Sequence, residues 1–169
     1  MNITGIENML KGRMAETLFE ELMRHSGNTV YRFGYEAIMQ NLSQFGKEFD
    51  RHDKVGEQIS SIPDFIVIDR KGKPVLVEVK FRWNGELHSD DFEKIERIQQ
   101  FWDARIVLMN CWRQPYFHFI DPPFSRQKFV RKTLLEDKNW NVDRKLYEEC
   151  ERLMHRYFTP TLIRPLKDN

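Results

Sequence analysis

The sequence predicts a single α/β domain in which helix, three strands, helix and strand follow in order (αβββαβ). Three observations carry this reading. An amphipathic helix opens the chain, a β-hairpin occupies residues 60–82, and a second amphipathic helix at 89–102 leads into an apolar strand at 105–109. Residues 1–124 are expected to form the core and 125–169 a helical C-terminal extension packed on the same domain.

In the first helix, Thr4-Gly5-Ile6-Glu7 fits a capping box. Leu10, Met14, Leu18 and Leu22, with Ala15, Phe19 and Met23, make one apolar face that stops at His25-Ser26-Gly27-Asn28. At about 100° per residue, Glu16 lies about 120° from the centre of that face, where it can lean over a sheet, whereas Glu20 lies about 160° away and points to solvent. Gly12 costs the helix roughly 1 kcal/mol against alanine and would let a nucleic-acid backbone approach closely. The competing reading leaves Glu16 solvated and Gly12 without consequence.

Thr29–Tyr35 fits the first strand, being rich in β-branched and aromatic residues. Residues 37–62 are less regular. A short helix is expected over 37–45, and residues 46–61, with Lys47, Arg51, His52 and Lys54, read as an exposed loop able to contact substrate.

The hairpin follows, with Phe65-Ile66-Val67-Ile68 and Val75-Leu76-Val77 flanking a polar turn that contains Gly72. Register decides what it can do. A two-residue loop would set Asp64 opposite Val79 and put Asp64 and Glu78 on different faces. A three-residue loop Arg70-Lys71-Gly72, with Gly72 in the left-handed position, pairs 69 with 73 and therefore 64 with 78. We favour the second, which sets the two carboxylates about 5 Å apart between Cβ atoms and Lys80 two residues further along the same face.

After the hairpin, Ser89-Asp90-Asp91 is a helix start, and Phe92, Ile95, Ile98, Phe101 and Trp102 define the buried face. Gln99 falls about 50° from the centre of that face and needs hydrogen-bond partners there. Strands are expected at 105–109 and 116–120. A late helix around 142–157 has Leu146, Cys150, Leu153 and Met154 on one side.

Opposed carboxylates repel, and in a partly buried site one would be forced to keep its proton unless a cation sat between them. Mg²⁺ or Mn²⁺ resolves this, since hard cations take carboxylate oxygens and keep room for waters and phosphate oxygens. The Val79 carbonyl is a further candidate ligand. Lys80 beside such a site could steady an attacking water or the oxyanion of a phosphodiester under attack. The competing reading is a charged surface hairpin in which Glu78 and Lys80 form a weak ion pair.

Pro63-Asp64 followed by Glu78-Val79-Lys80 resembles the PD-(D/E)xK signature of the restriction-endonuclease-like nuclease superfamily. Lys11-Gly12-Arg13-Met14-Ala15-Glu16 is similar to the helix start of its Holliday junction resolvase-like branch. The likeness covers roughly residues 5–120. It implies a restriction-endonuclease-like core with a mixed sheet of four or more strands flanked by helices, and a Mg²⁺-dependent deoxyribonuclease of the endonuclease type, with Asp64 and Glu78 as metal ligands, Lys80 as catalytic cation, Glu16 completing the metal site and Gln99 supporting it. It also implies branched or recombining DNA as substrate and a homodimer, with RNA left open. A second reading keeps the fold without the chemistry, as a non-catalytic nucleic-acid-binding or assembly module.

Composition fits one enzyme-sized domain. The 169 residues are 40% hydrophobic, enough for one substantial core, and no apolar run approaches a membrane span. Cys111 and Cys150 lack metal or redox spacing and fit reduced cytoplasmic thiols, and the five histidines lack zinc spacing. Net charge is only +1, but it is uneven. Residues 1–121 hold 16 Lys/Arg against 19 Asp/Glu, and 122–169 hold 11 against 7. Arg126, Lys128, Arg131 and Lys132, then Arg144, Lys145, Arg152 and Arg156, could meet phosphates or simply be a solvated face. Trp140 and the last helix could serve a protein partner.

Overall fold

The computed structural model describes residues 3–34 and 53–158. Its elements are α1 (Ile3–His25), β1 (Thr29–Arg32), α2 (Lys54–Ser60), β2 (Phe65–Ile68), β3 (Pro74–Phe81), α3 (Ser89–Trp102), β4 (Arg105–Met109), β5 (Phe117–Ile120), β6 (Lys132–Thr133), a 3₁₀ turn (Leu134–Glu136) and α4 (Arg144–Phe158). One six-stranded mixed sheet runs β1-β2-β3-β4-β5-β6, and β3 and β4 are its parallel pair. Parallel neighbours need a crossover, and α3 provides it. This is the predicted α/β class, with the expected mixed sheet flanked by helices and extended by β5 and β6.

The hairpin has the odd-length turn. Phe65 pairs with Val77 and Ile68 with Pro74, and Asp69 N–H donates to Lys73 O at 2.8 Å, so the same register places 64 opposite 78. Gly72 adopts φ +77°, the left-handed conformation that a side chain resists. Asp69 fastens the turn by accepting the Lys71 and Lys73 N–H groups at 2.8 and 2.9 Å.

Alternation along the strands sorts the side chains. Val77 and Val79 of β3 and Val107 and Met109 of β4 enter the main core with Ala15, Phe19, Leu22 and Met23 of α1 and Tyr147, Cys150 and Met154 of α4. Ile106 and Ile120 face the other way, against Ile95 of α3. By the same period of two, Glu78, Lys80 and Arg82 point to the α3 side.

Several expectations are corrected. Glu20 is not in solvent: it is 6% exposed and pairs with Arg24 and Arg32 at 2.9 and 2.5 Å. The buried arc of α1 centres on Ala15, Phe19 and Leu22, whereas Leu10 and Met14 are exposed. The face is therefore rotated toward the glutamates by roughly 45° at about 100° per residue. The helix begins at Ile3, so Thr4 lies within it, and Glu7 pairs with Lys11 at 2.5 Å.

Residues 54–60, expected as loop, form α2. Asp53 caps it by accepting the Gly56 N–H at 2.5 Å, and Trp102 Nε1 anchors it by donating to Gln58 O at 3.2 Å. The helix expected over 37–45 lies outside the described residues. The first strand stops at Arg32 rather than 35. Beyond residue 125 the chain is not helical only, since Lys132–Thr133 joins the sheet beside β5. Trp140 is fully buried there, and Asn28 and Asn141 exchange hydrogen bonds at 2.6 and 2.9 Å. Among the described residues no helix is long and apolar enough to cross a membrane.

Candidate active site

The site lies where β2 and β3 part. β2 begins at Phe65, so β3 beyond Val77 loses its ladder partner on that side. Asp64 takes over: its carboxylate accepts the Val79 N–H at 2.7 Å. N–H and C=O of one strand residue point to the same edge, so the Val79 carbonyl faces the Asp64 side as well. Asp64 is itself fixed from behind, its carbonyl accepting the Phe33 and Gly34 N–H groups at 2.8 and 3.1 Å. Gly34 packs against this residue: a Cβ there would stand 3.4 Å from the Asp64 Cα, in close van der Waals contact.

Glu78, 7% exposed, forms an ion pair with Lys80, the next residue on its face. Burial, then the neighbouring Glu78 and Glu16 carboxylates, push the Asp64 pKa well above the usual carboxylate range, against the Lys80 ammonium and the Val79 N–H. Burial works against the Lys80 charge, but Glu78 and Asp64 outweigh it and raise its pKa. The result is a largely buried, mutually dependent acid-acid-lysine group.

Three cavities meet at this group. One of about 450 Å³ runs from Gly12 and Glu16 of α1 past Asp64 and Glu78 to Ser60 and Ser61. A second, of about 700 Å³, follows the free edge of β3 from Glu16 and Lys80 to Trp83 and Lys94. The third, about 300 Å³, lies between Glu78, Lys80, Lys94 and Arg97. Together they form a cleft floored by β3 and walled by α1, α2 and α3.

Of the residues the sequence singles out, Asp64, Glu78, Lys80, Val79 and Glu16 all line this cleft. Glu16 also stands 4.0 Å from Arg32. Gln99 is not brought there. Its side-chain N–H donates to Ala104 O at 3.1 Å and its oxygen accepts the Phe124 N–H, so it ties off the α3–β4 turn as a packed, satisfied amide. Among the described residues, the basic side chains after 125 do not line the cleft either. Arg126 pairs with Glu96, Arg131 donates to Gly85 O, and Lys132 pairs with Asp121.

Sequence reasoning missed Lys94 and Arg97 of α3, Ser60 of α2 and Ser61 just after it, Arg32 of β1, and Arg82. The last was legible as the next alternate residue after Lys80. Arg82 forms a two-pronged contact with Asp91, one arm at 2.6 Å. Burial opposes the Asp91 charge, but the Arg82 hydrogen bonds hold its pKa below the ordinary value. Lys94 and Arg97 follow Asp91 at helical spacing.

Among the described residues, no three His, Cys, Asp or Glu side chains converge as an ion cage. The donors present still suit Mg²⁺ or Mn²⁺, which are commonly held by one or two carboxylates with waters and substrate phosphate filling the rest. Burial first, and the facing Glu78 carboxylate second, disfavour the Asp64 charge, and a bound cation would relieve both.

No protein-family model and no curated protein matches the chain. Among solved structures it is similar to a Holliday junction resolvase of the archaeal hyperthermophile Archaeoglobus fulgidus, at 16% identity and a TM-score of 0.34, over 81% of this chain and 89% of that one. A superposition that loose carries no functional weight, so the residues must.

Proposed function

We propose that this protein is a divalent-metal-dependent nuclease that hydrolyses DNA phosphodiester bonds in the cleft around Asp64, Glu78 and Lys80. The observation that carries the reading is the 64–78 register, which joins two carboxylates and an ammonium where the cavities of the cleft meet. Asp64, Glu78 and the Val79 carbonyl would hold the cation, with Glu16 as a third acid on the α1 side. A bound Mg²⁺ or Mn²⁺ supplies charge neutralisation and polarises a phosphoryl oxygen.

The chain's own groups do the rest. Asp64 gives up the proton its surroundings favour when the site is filled. Lys80, held against Glu78, orients the attacking water or stabilises charge growing on the phosphoryl oxygens. Lys94 and Arg97, with Ser60 and Ser61 opposite, fit the flanking phosphates. The α1 edge with Gly12 leaves room for a backbone, since nothing lies within 4 Å of where its Cβ would be.

The test is cleavage of linear, single-stranded, flapped and four-way DNA in Mg²⁺ or Mn²⁺, using wild type, Lys80→Ala and Asp64→Asn. Cation-dependent cleavage that falls roughly 100-fold or more in both variants is expected. Binding without cleavage of any substrate would favour a non-catalytic module, and undiminished activity in Lys80→Ala would remove its assigned role.

A further inference from the structure

The cleft does not end in charge alone. Past Lys80 and Arg82, Trp83 lines the second cavity together with Lys11 and Lys94. Its ring meets that of Trp112, with centroids 4.5 Å apart and planes inclined by 57°. Trp112 stands in the connection from β4 to β5 and is 64% exposed. Both tryptophans follow the C-terminal ends of the parallel strands β3 and β4, the side of a sheet where ligands of α/β folds are bound.

The Trp112 loop is rigidly braced. Buried Asn110 accepts the Trp112 and Arg113 N–H groups, both at 3.1 Å, and donates to Pro115 O at 3.2 Å. Buried Glu151 of α4 accepts the Tyr116 N–H at 2.8 Å and the Gln114 amide at 3.1 Å. The Cys111 N–H donates to Trp83 O at 3.2 Å, lashing the two tryptophan-bearing segments together. Gly85 packs so closely that a Cβ would come 3.3 Å from the Asn110 Cβ. Buried polar groups thus hold the backbone still while the largest side chain of the loop is kept in water. Turned inward, an indole would bury roughly 150–250 Å², and the outward pose leaves most of that area open to a ligand. An indole held out on a braced backbone, against the Trp83 ring that lines the cleft with Lys11 and Lys94 and with exposed Arg113 next to it, has the form of a stacking surface.

We propose that Trp112, backed by Trp83, is a stacking platform for an unpaired nucleobase, so that the substrate carries a single-stranded segment beside the phosphate to be cut. The proposal rests on the nucleic-acid reading of the cleft. Bases inside a duplex are already stacked on both faces and have none to offer, whereas a splayed or single-stranded base does.

The experiment is fluorescence anisotropy of the full chain in EDTA with three labelled DNA probes. These are a single strand of about 12 nucleotides, the same strand with abasic sites, and the blunt duplex. Trp112→Ala is expected to weaken single-strand binding roughly tenfold or more, and Trp112→Phe to recover most of it, with the abasic and duplex probes changing less than about twofold. An equal loss on all three probes, or no loss on the single strand, overturns the platform and leaves Trp112 as a loop anchor or a protein-docking residue. The nuclease reading is judged separately by cleavage. The binding pattern without cleavage by wild type keeps the platform and removes the nuclease, and cleavage without the pattern does the reverse.

Discussion

The Asp64 carboxylate accepts the N–H of Val79 at 2.7 Å, one residue beyond the Glu78 that it opposes. A ladder hydrogen bond is thereby replaced by a side chain at the point where two strands part. Asp64 both closes the frayed edge and stays beside Glu78, so the site's position depends on the hairpin's register and the register on its turn.

Gly72 is the stress point of that turn. A valine there would be forced to φ near +77°, costing about 1–2 kcal/mol. Gly72→Val is expected to lower the urea midpoint accordingly, while the folded fraction keeps its cleavage rate. An unchanged midpoint would mean that the turn does not depend on the left-handed residue.

The raised Asp64 pKa predicts a pH effect with a definite sign. In the unfolded chain Asp64 ionises near its ordinary value of about 4, but in the folded protein, without divalent cation, it keeps its proton to higher pH. The folded state then binds more protons, so the stability Asp64 contributes is complete below the ordinary value and is lost as pH rises through the raised one. Asp64→Asn cannot ionise. In EDTA it is expected to be more stable than wild type at neutral pH, with the advantage fading toward pH about 4. Unfolding curves across that range check this, and an advantage independent of pH would contradict it.

Arg105 joins the last quarter of the chain to the sheet. Only 7% exposed, it reaches Asp121 and Asp137 at 2.6 Å each and lies 4.3 Å from the Trp140 ring and 4.5 Å from that of Phe119. Arg105→Ala leaves two carboxylates facing a gap, and the loss should approach about 3–5 kcal/mol. Denaturant unfolding measures it. A loss below about 1 kcal/mol would show the pair to be worth no more than a surface contact.

What could be read in advance was local chemistry. Gly72 with two flanking apolar runs selected the turn, and the turn selected which residues face each other. Glu20 was misplaced because Leu10 and Met14 look like core residues in a periodic pattern, and nothing local tells that the helix there is exposed. The α2 helix was hidden by Gly56 in its first turn, although Asp53 was a legible cap. Gln99 did face inward, but an inward amide has many possible partners, and here they are the Ala104 carbonyl and Phe124 N–H. Trp112 was invisible as a candidate because its loop is braced by Asn110 and Glu151, which are 41 residues apart in the chain and grip the same loop only in the fold.

The most direct measurement is a crystal soaked in Mn²⁺ and examined by anomalous scattering. A metal peak between Asp64 and Glu78, with oxygens at about 2.0–2.3 Å, is the expected result, and it should vanish in Asp64→Asn. Mn²⁺ bound elsewhere, or no peak at concentrations that support cleavage, would contradict the claim that this pair is the catalytic metal site.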